Sequence, residues 1–336
     1  MKKLFVSVMA IAALVACSNE EIVSFDKGEA INFNAPFISN STRTAVDGSY
    51  SGTKEFNKFI VYGTVTGTVD GVSNTINLFG GDANANVTGT VGEGAWSCDE
   101  TEYWVPKCTY NFIAIADATS VSPANAMPQT ITYNDSADGD LILATAQDST
   151  NEFAVPEKGN PVNLTFTHLL SKVKFTFSKK AYANSLYTYA VKNIKFTNAY
   201  TSGDYTINSG VWGSLDNKGE VVVGNLEGNL TNSNSAAGLE SAKERLIIPA
   251  TYSASNASNQ LEVSFDVVTM YGSGDTAKAI SSVTYTKKFP STGEYTFVKS
   301  TAYNFGVELD ENNAIEFKVT SAPTWTSNTG GDLELK

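Results

Sequence analysis

Histidine, arginine and cysteine are almost absent from this chain. Of 336 residues one is a histidine, His168, and three are cysteines. Arginine occurs only at Arg43 and Arg245. A single histidine excludes a multi-histidine metal site. It also makes any Ser-His-Asp arrangement depend on His168 alone. His168 lies between Phe166 and Leu170 on a strand-like run and reads as a core or interface histidine satisfied by a backbone partner. With 23 basic against 35 acidic side chains the formal charge is -12, and no basic patch exists to neutralise phosphates. Nucleic acid is therefore not an expected partner. The glycine-rich run 89–94 lacks the lysine and the strand-to-helix setting of a phosphate loop. Asn134, Asp135, Asp138 and Asp140 crowd oxygen ligands into one loop, but not at alternate positions around a central glycine, so a solvated turn is expected rather than a calcium site. Trp96, Tyr103, Trp104 and Tyr110 read as core filling or edge cover, with a sugar-stacking platform as the other reading. No acid, base, nucleophile or ligand set stands in a recognisable spacing, so neither an enzyme nor a cofactor is expected.

No segment past residue 20 holds a helical period. What is present is alternation with period two: Ile31, Phe33 and Ala35; Phe59 and Val61; Val173, Phe175 and Phe177; Leu261, Val263, Phe265 and Val267; Tyr303, Phe305, Val307 and Leu309; Ile315, Phe317 and Val319. Such runs put one face on a core and one in water. Turn signals separate them at Asp47-Gly48, Asp70-Gly71, Asn217-Lys218-Gly219 and the tip Asp310 to Asn313. An all-β fold of sandwiches is predicted. The polar, proline-flanked stretch from 148 to 162 cannot continue a central strand. It divides the chain into domains at 30–155 and 162–336, with a split near residue 200 as the alternative.

The start has its own pattern. Lys2 and Lys3 precede an apolar run from Leu4 to Ala16, too short to span a bilayer, which takes roughly 20 residues. Leu14-Val15-Ala16-Cys17 resembles a lipobox. That resemblance implies a signal peptide over 1–16, cleavage before Cys17, acylation of its thiol, and a tether over 17–29 leading from a Gram-negative outer membrane. An ordinary signal peptide with an incidental cysteine is the other reading. Ser18 to Glu21 resembles an acidic surface-export patch, or is a solvated tether. Cys98 and Cys108, with nine residues between them, read as one disulfide across a hairpin or as two reduced thiols; the disulfide is the expectation.

Four stretches together resemble the fimbrillins, type V pilin-like surface lipoproteins. They are Ile31-Asn32-Phe33 with Ser41-Thr42-Arg43-Thr44; Tyr110 to Ala114 with Asp140 to Ala144; Leu164 to Val173; and Tyr303 through Val319 to the closing Gly330-Gly331-Asp332-Leu333-Glu334-Leu335. The resemblance implies two tandem transthyretin-like β-sandwich domains. It implies polymerisation into fimbriae by β-strand exchange, supporting adhesion. Small polar residues around Arg43 suit proteolytic nicking. Cleavage between Arg43 and Thr44 by a trypsin-like protease would release the lipid anchor with the first strand, Ile31, Phe33, Ala35 and Phe37. Leu333 and Leu335 would belong to the donor strand that fills the opened groove of another fimbrial subunit. The chain ends soon after Trp325 without a long detachable extension, which leaves stalk, tip and anchor roles open. A non-polymerising surface lipoprotein, as fimbrial anchor or glycan-binding module, is the alternative.

Overall fold

The computed structural model describes residues 30–34, 37–38, 57–79, 84–89, 96–105, 108–135, 139–147, 161–179, 187–226, 229–230, 245–272, 276–309, 315–322 and 332–334. Within these there is no α-helix, and the chain is all-β as predicted. For the strands Phe37–Ile38, Ile315–Ala322 and Asp332–Glu334 the backbone alone is described.

The first sheet runs Phe37–Ile38, Thr165–His168, Ile142–Gln147, Thr109–Ala116, Lys58–Val69, Asn84–Thr88, Ser97–Cys98. Val72–Asn77 pairs with Lys58–Val69 as a hairpin. Its tip is Asp70-Gly71, with φ of 50° and 78°. A two-residue hairpin turn of the primed type requires positive φ at both places, which Asp and Gly tolerate best. Inward residues of this sheet, among them Phe59, Val61, Phe112 and Phe166, are at most 1 % exposed and form one apolar cluster.

The C-terminal half is a sandwich. One sheet orders Arg245–Ile247, Ser171–Lys179, Ala302–Leu309, Ile315–Ala322 and Asp332–Glu334. The other orders Lys278–Phe289, Leu261–Tyr271, Tyr187–Thr206, Thr130–Asn134 and Ser120–Ser122, with Val211–Gly224 on the other side of the long central strand. The inner faces meet ring on ring: Phe175 lies 5.4 Å from Phe196, and Phe177 lies 5.0 Å from Phe265. Edge-to-face and offset contacts of this kind add to burial. The paired strands Ser171–Lys179 and Ala302–Leu309 run parallel and bury Val173, Phe175, Phe177, Phe305 and Val307 to 1 % exposure or less.

Two expectations change on the structure. Asn217-Lys218-Gly219 is not a hairpin tip; it lies inside the strand Val211–Gly224. Asn217 has a φ of 51°, and the register against Tyr187–Thr206 slips on both sides of it. It sits in the in-register stretch between two bulges, where Asn198 and Ser214 also have positive φ. Second, pairing crosses the expected linker in both directions. Thr165–His168 pairs with Ile142–Gln147 in the first sheet. Thr130–Asn134 pairs with residues 202–206 of the long strand in the C-terminal half. A third apolar cluster sits where these exchanges occur, with Ile113, Ile131, Tyr133, Leu169, Leu170 and Tyr205 among its members.

Candidate functional site

Residues 30–34 are wedged between residues 96–103 and Val162. Ala30 bridges Tyr103, and Phe33 bridges Trp96 on one side and Val162 on the other. Phe37 and Ile38 continue parallel to Thr165 and Phe166. Trp96 adjoins Ser97–Cys98, the far end of the first sheet. The two ends of that sheet are therefore joined through residues 30–34, and the pairing path returns on itself. Alternation seats this strand: Ile31 and Phe33 are 3 % and 1 % exposed, while Asn32 faces out. Phe33 meets Phe112 edge to face at 5.6 Å. Ile31 donates its N–H to the Glu102 carbonyl at 2.8 Å, Asn34 to Val162 at 3.1 Å, and Val162 to Asn32 at 2.7 Å. The seam wall is shaped for this. The Glu102 carboxylate is buried and accepts the Phe79 N–H at 3.0 Å. Trp96 stacks on Phe59 at 5.5 Å, and Gly89 lies so close that a Cβ there would stand 2.6 Å from the indole.

The seam is a recess for backbone and two apolar side chains. Empty, it would expose unpaired groups along both walls, which an added strand is suited to satisfy. Burying Ile31 and Phe33 alone is worth roughly 3–6 kcal/mol at about 1.5–3 kcal/mol each.

Other expected features fall elsewhere. Cys17, Ala35, Arg43, Thr44 and Leu335 lie outside the described residues. Leu333 pairs with Val319 on the outermost strand of its sheet. The disulfide is not found: Cys98 and Cys108 are free cysteines. Cys98 pairs with Val87, and Val87 with Phe59, whereas Cys108 lies against Gly67 beyond the Thr66–Thr109 pair. From Phe59 to Gly67 is a step of about 8 residues, or some 25 Å along the strand, against a Cα limit of about 7 Å for a disulfide. Burial pushes both thiols up.

The described carboxylates of the acidic loop face basic side chains of the protein. Asp140 Oδ2 lies 2.8 Å from His168 Nδ1. Asp135 pairs with Arg245 at 2.6 Å; burial nonetheless holds its carboxyl above the usual range against the pull of the guanidinium. Trp96 and Tyr110 are 3 % and 1 % exposed, and Trp104 packs edge-on to Tyr110 at 4.6 Å, so these rings are spent on the core. Neither ion pair was legible in sequence, because each joins residues more than two dozen positions apart.

Residues 42–323 match the fimbrillin-like family. The chain belongs to that family. It is a family of fimbrial, cell-surface structural proteins rather than of enzymes. A fimbrial protein from Bacteroides vulgatus ATCC 8482 is similar in fold, with a TM-score of 0.57 at 15 % identity over 89 % of this chain and 100 % of that one. A candidate cell adhesion protein from Bacteroides uniformis ATCC 8492 gives 0.52 at 15 % identity, over 90 % and 99 %. No curated protein matches. In this fimbrillin-like chain the seam strand lies at the N-terminal border of the match, which opens just before Arg43.

Proposed function

We propose that this chain is a structural subunit of a cell-surface fimbria, exported as a lipoprotein on Cys17, matured by cleavage between Arg43 and Thr44, and polymerised by β-strand exchange in support of adhesion. The observation that carries this reading is the placement of residues 30–34: core-deep, paired on both flanks, and upstream of the cut. Cleavage there severs the strand from the fold it completes. The Asp332–Glu334 strand is a suitable donor, since it borders one neighbour only. No helix among the described residues is long and apolar enough to cross a membrane. In this reading the halves 30–155 and 162–336 are two domains that exchange strands, the first lending Ser120–Ser122 and Thr130–Asn134 and the second lending Thr165–His168.

The test uses the scarcity of arginine. Arg245, one of the two arginines, is 7 % exposed and ion-paired, so an arginine-specific protease acting on the folded protein tests Arg43, the other. The cut protein is expected to form linear polymers seen by electron microscopy, and the Arg43→Ala protein to stay monomeric under the same treatment. Cut protein that releases residues 17–43 yet remains monomeric at high concentration overturns the proposal. Recovery from cells of a chain beginning at acylated Cys17 assigns it to the anchor instead.

A further inference from the structure

In the C-terminal sandwich the inner face of one sheet continues past the end of the other. Val191, Val267 and Val283 lie side by side across three strands, the next inward row is Tyr189, Thr269 and Ser281, and Tyr187 pairs with Tyr271 one row beyond that. Val191 is fully buried and Val267 is 5 % exposed, but Val283, Tyr271 and Tyr187 are 44 %, 48 % and 41 % exposed. Ile280, the bulged residue beside them, is 57 % exposed. The cause is on the facing sheet, whose parallel pair ends at Lys179–Leu309, one pleat beyond Phe177. The result is an uncovered ledge on which Tyr187, Tyr271, Ile280 and Val283 are each at least 41 % exposed, a grouping of exposed apolar side chains of the kind that marks interaction sites.

Chain direction says what meets it. Asp332–Glu334 is antiparallel to Ile315–Ala322, so the C-terminus heads toward the Leu309–Ile315 end, the end that carries the ledge. At the opposite extreme, segment 30–38 runs parallel to Thr165–His168, toward the junction with Ser171–Lys179. Its beginning therefore lies at the far end of the N-terminal half. So does the Asp70-Gly71 hairpin tip, which extends beyond the Thr66–Thr109 pair and carries Val72 at 61 % exposure. Strand donation from one copy to the next brings the tip end of the acceptor up to the ledge end of the donor. Asp70 at the tip and Lys278 at the ledge, both exposed, are opposite in sign.

We propose that the ledge formed by Tyr187, Tyr271, Ile280 and Val283 is the docking surface for the N-terminal end of a second copy of this chain. This rests on the strand-exchange reading above. Four large side chains are far short of the roughly 20–30 residues a side that a stable interface uses. The ledge therefore does not join copies unaided; it holds the neighbour while the strand inserts.

The test compares full-length proteins cut at Arg43: wild type, Tyr271→Ser with Val283→Ser, Val72→Ser, and Val222→Ser. Val222 is 56 % exposed on a lateral strand and serves as a control. The ledge pair is expected to slow polymer growth, followed by light scattering, at least tenfold. Val72→Ser slows it in the same sense, and Val222→Ser leaves it unchanged. Unaltered melting temperatures show that the surface, not the fold, was affected. Ledge variants that polymerise at the wild-type rate overturn this inference while leaving strand exchange standing. Wild-type cut protein that never polymerises overturns both.

Discussion

Replacing Phe33 with alanine in the uncut chain tests whether the N-terminal strand is a separable wedge. Phe33 is 1 % exposed and packs edge to face on Phe112. Removing a buried phenylalanine costs about 3–5 kcal/mol through lost transfer energy and the cavity left behind. If the strand opens by itself, that whole cost falls on the local equilibrium between seated and released strand. At 1.4 kcal/mol per decade, amide exchange at the seam then rises by up to roughly 10²–10³-fold. The reporters are Ile31, Asn34 and Val162, whose N–H groups make the seam bonds. Hydrogen exchange read by mass spectrometry over 30–34 and 161–166 gives the signal, with the sandwich core around Phe305 as the internal reference. Asn32→Ala, on the outward face, is expected to change seam exchange little. A Phe33→Ala protein in which the Phe305 region exchanges as much faster as the seam refutes the reasoning, because the strand would then be an inseparable part of one cooperative core.

Arg245→Met leaves Asp135 buried without its cation and is expected to cost about 3–5 kcal/mol, read as a lower denaturation midpoint. Thr284 and Asn193 hydrogen-bond the Asp266 carboxylate and hold it below the usual 3.8. Its contribution to stability is present above the unfolded-state value and fades as pH falls through the lower folded-state one. A carboxyl-carbon NMR titration should find Asp266 more than half ionised at pH 3.8. Thiol titration of mature protein in denaturant should count Cys98 and Cys108 as free, with little reaction before unfolding since burial raises both. Residues 162–336 expressed alone lack Thr130–Asn134, which covers positions 202–206 of the long strand. That fragment should bind a hydrophobic dye and sediment as aggregates, whereas independent folding would contradict the shared cluster.

The all-β class was legible because alternation is a local signal. Leu261 to Val267 and Tyr303 to Leu309 each carry it in one window, and each is buried as the pattern demands. The Asp70-Gly71 hairpin was legible for the same reason: positive φ selects residue types directly. Pairing partners were not. Nothing in Thr130–Asn134 distinguishes a strand that stays in its own half from one that joins Tyr187–Thr206, since both bury Ile131 and Tyr133 equally well. Asn217-Lys218-Gly219 misled because a strand position between two bulges and a tight turn can ask the same backbone freedom of Asn. The cysteine pair misled because spacing in sequence says nothing about how many strands come to lie between.

The seam strand resolves a conflict that any removable core element must meet. A strand that polymer assembly displaces has to be apolar enough to keep the monomer closed before it is cut. The same apolarity, spread over many residues, would stop it leaving. Here the described part concentrates burial in two side chains, Ile31 and Phe33, and secures the backbone with three described hydrogen bonds. At about 1 kcal/mol net per bond and roughly 3–6 kcal/mol for the two side chains, the hold is of the same order as the cost of ordering five residues at about 1–2 kcal/mol each. Covalent continuity with the rest of the chain then tips the balance toward the seated state. In the proposed maturation, breaking that continuity at Arg43 would remove the entropic advantage without altering a described contact in the seam, and an incoming strand with more than two inward apolar residues would displace the released one.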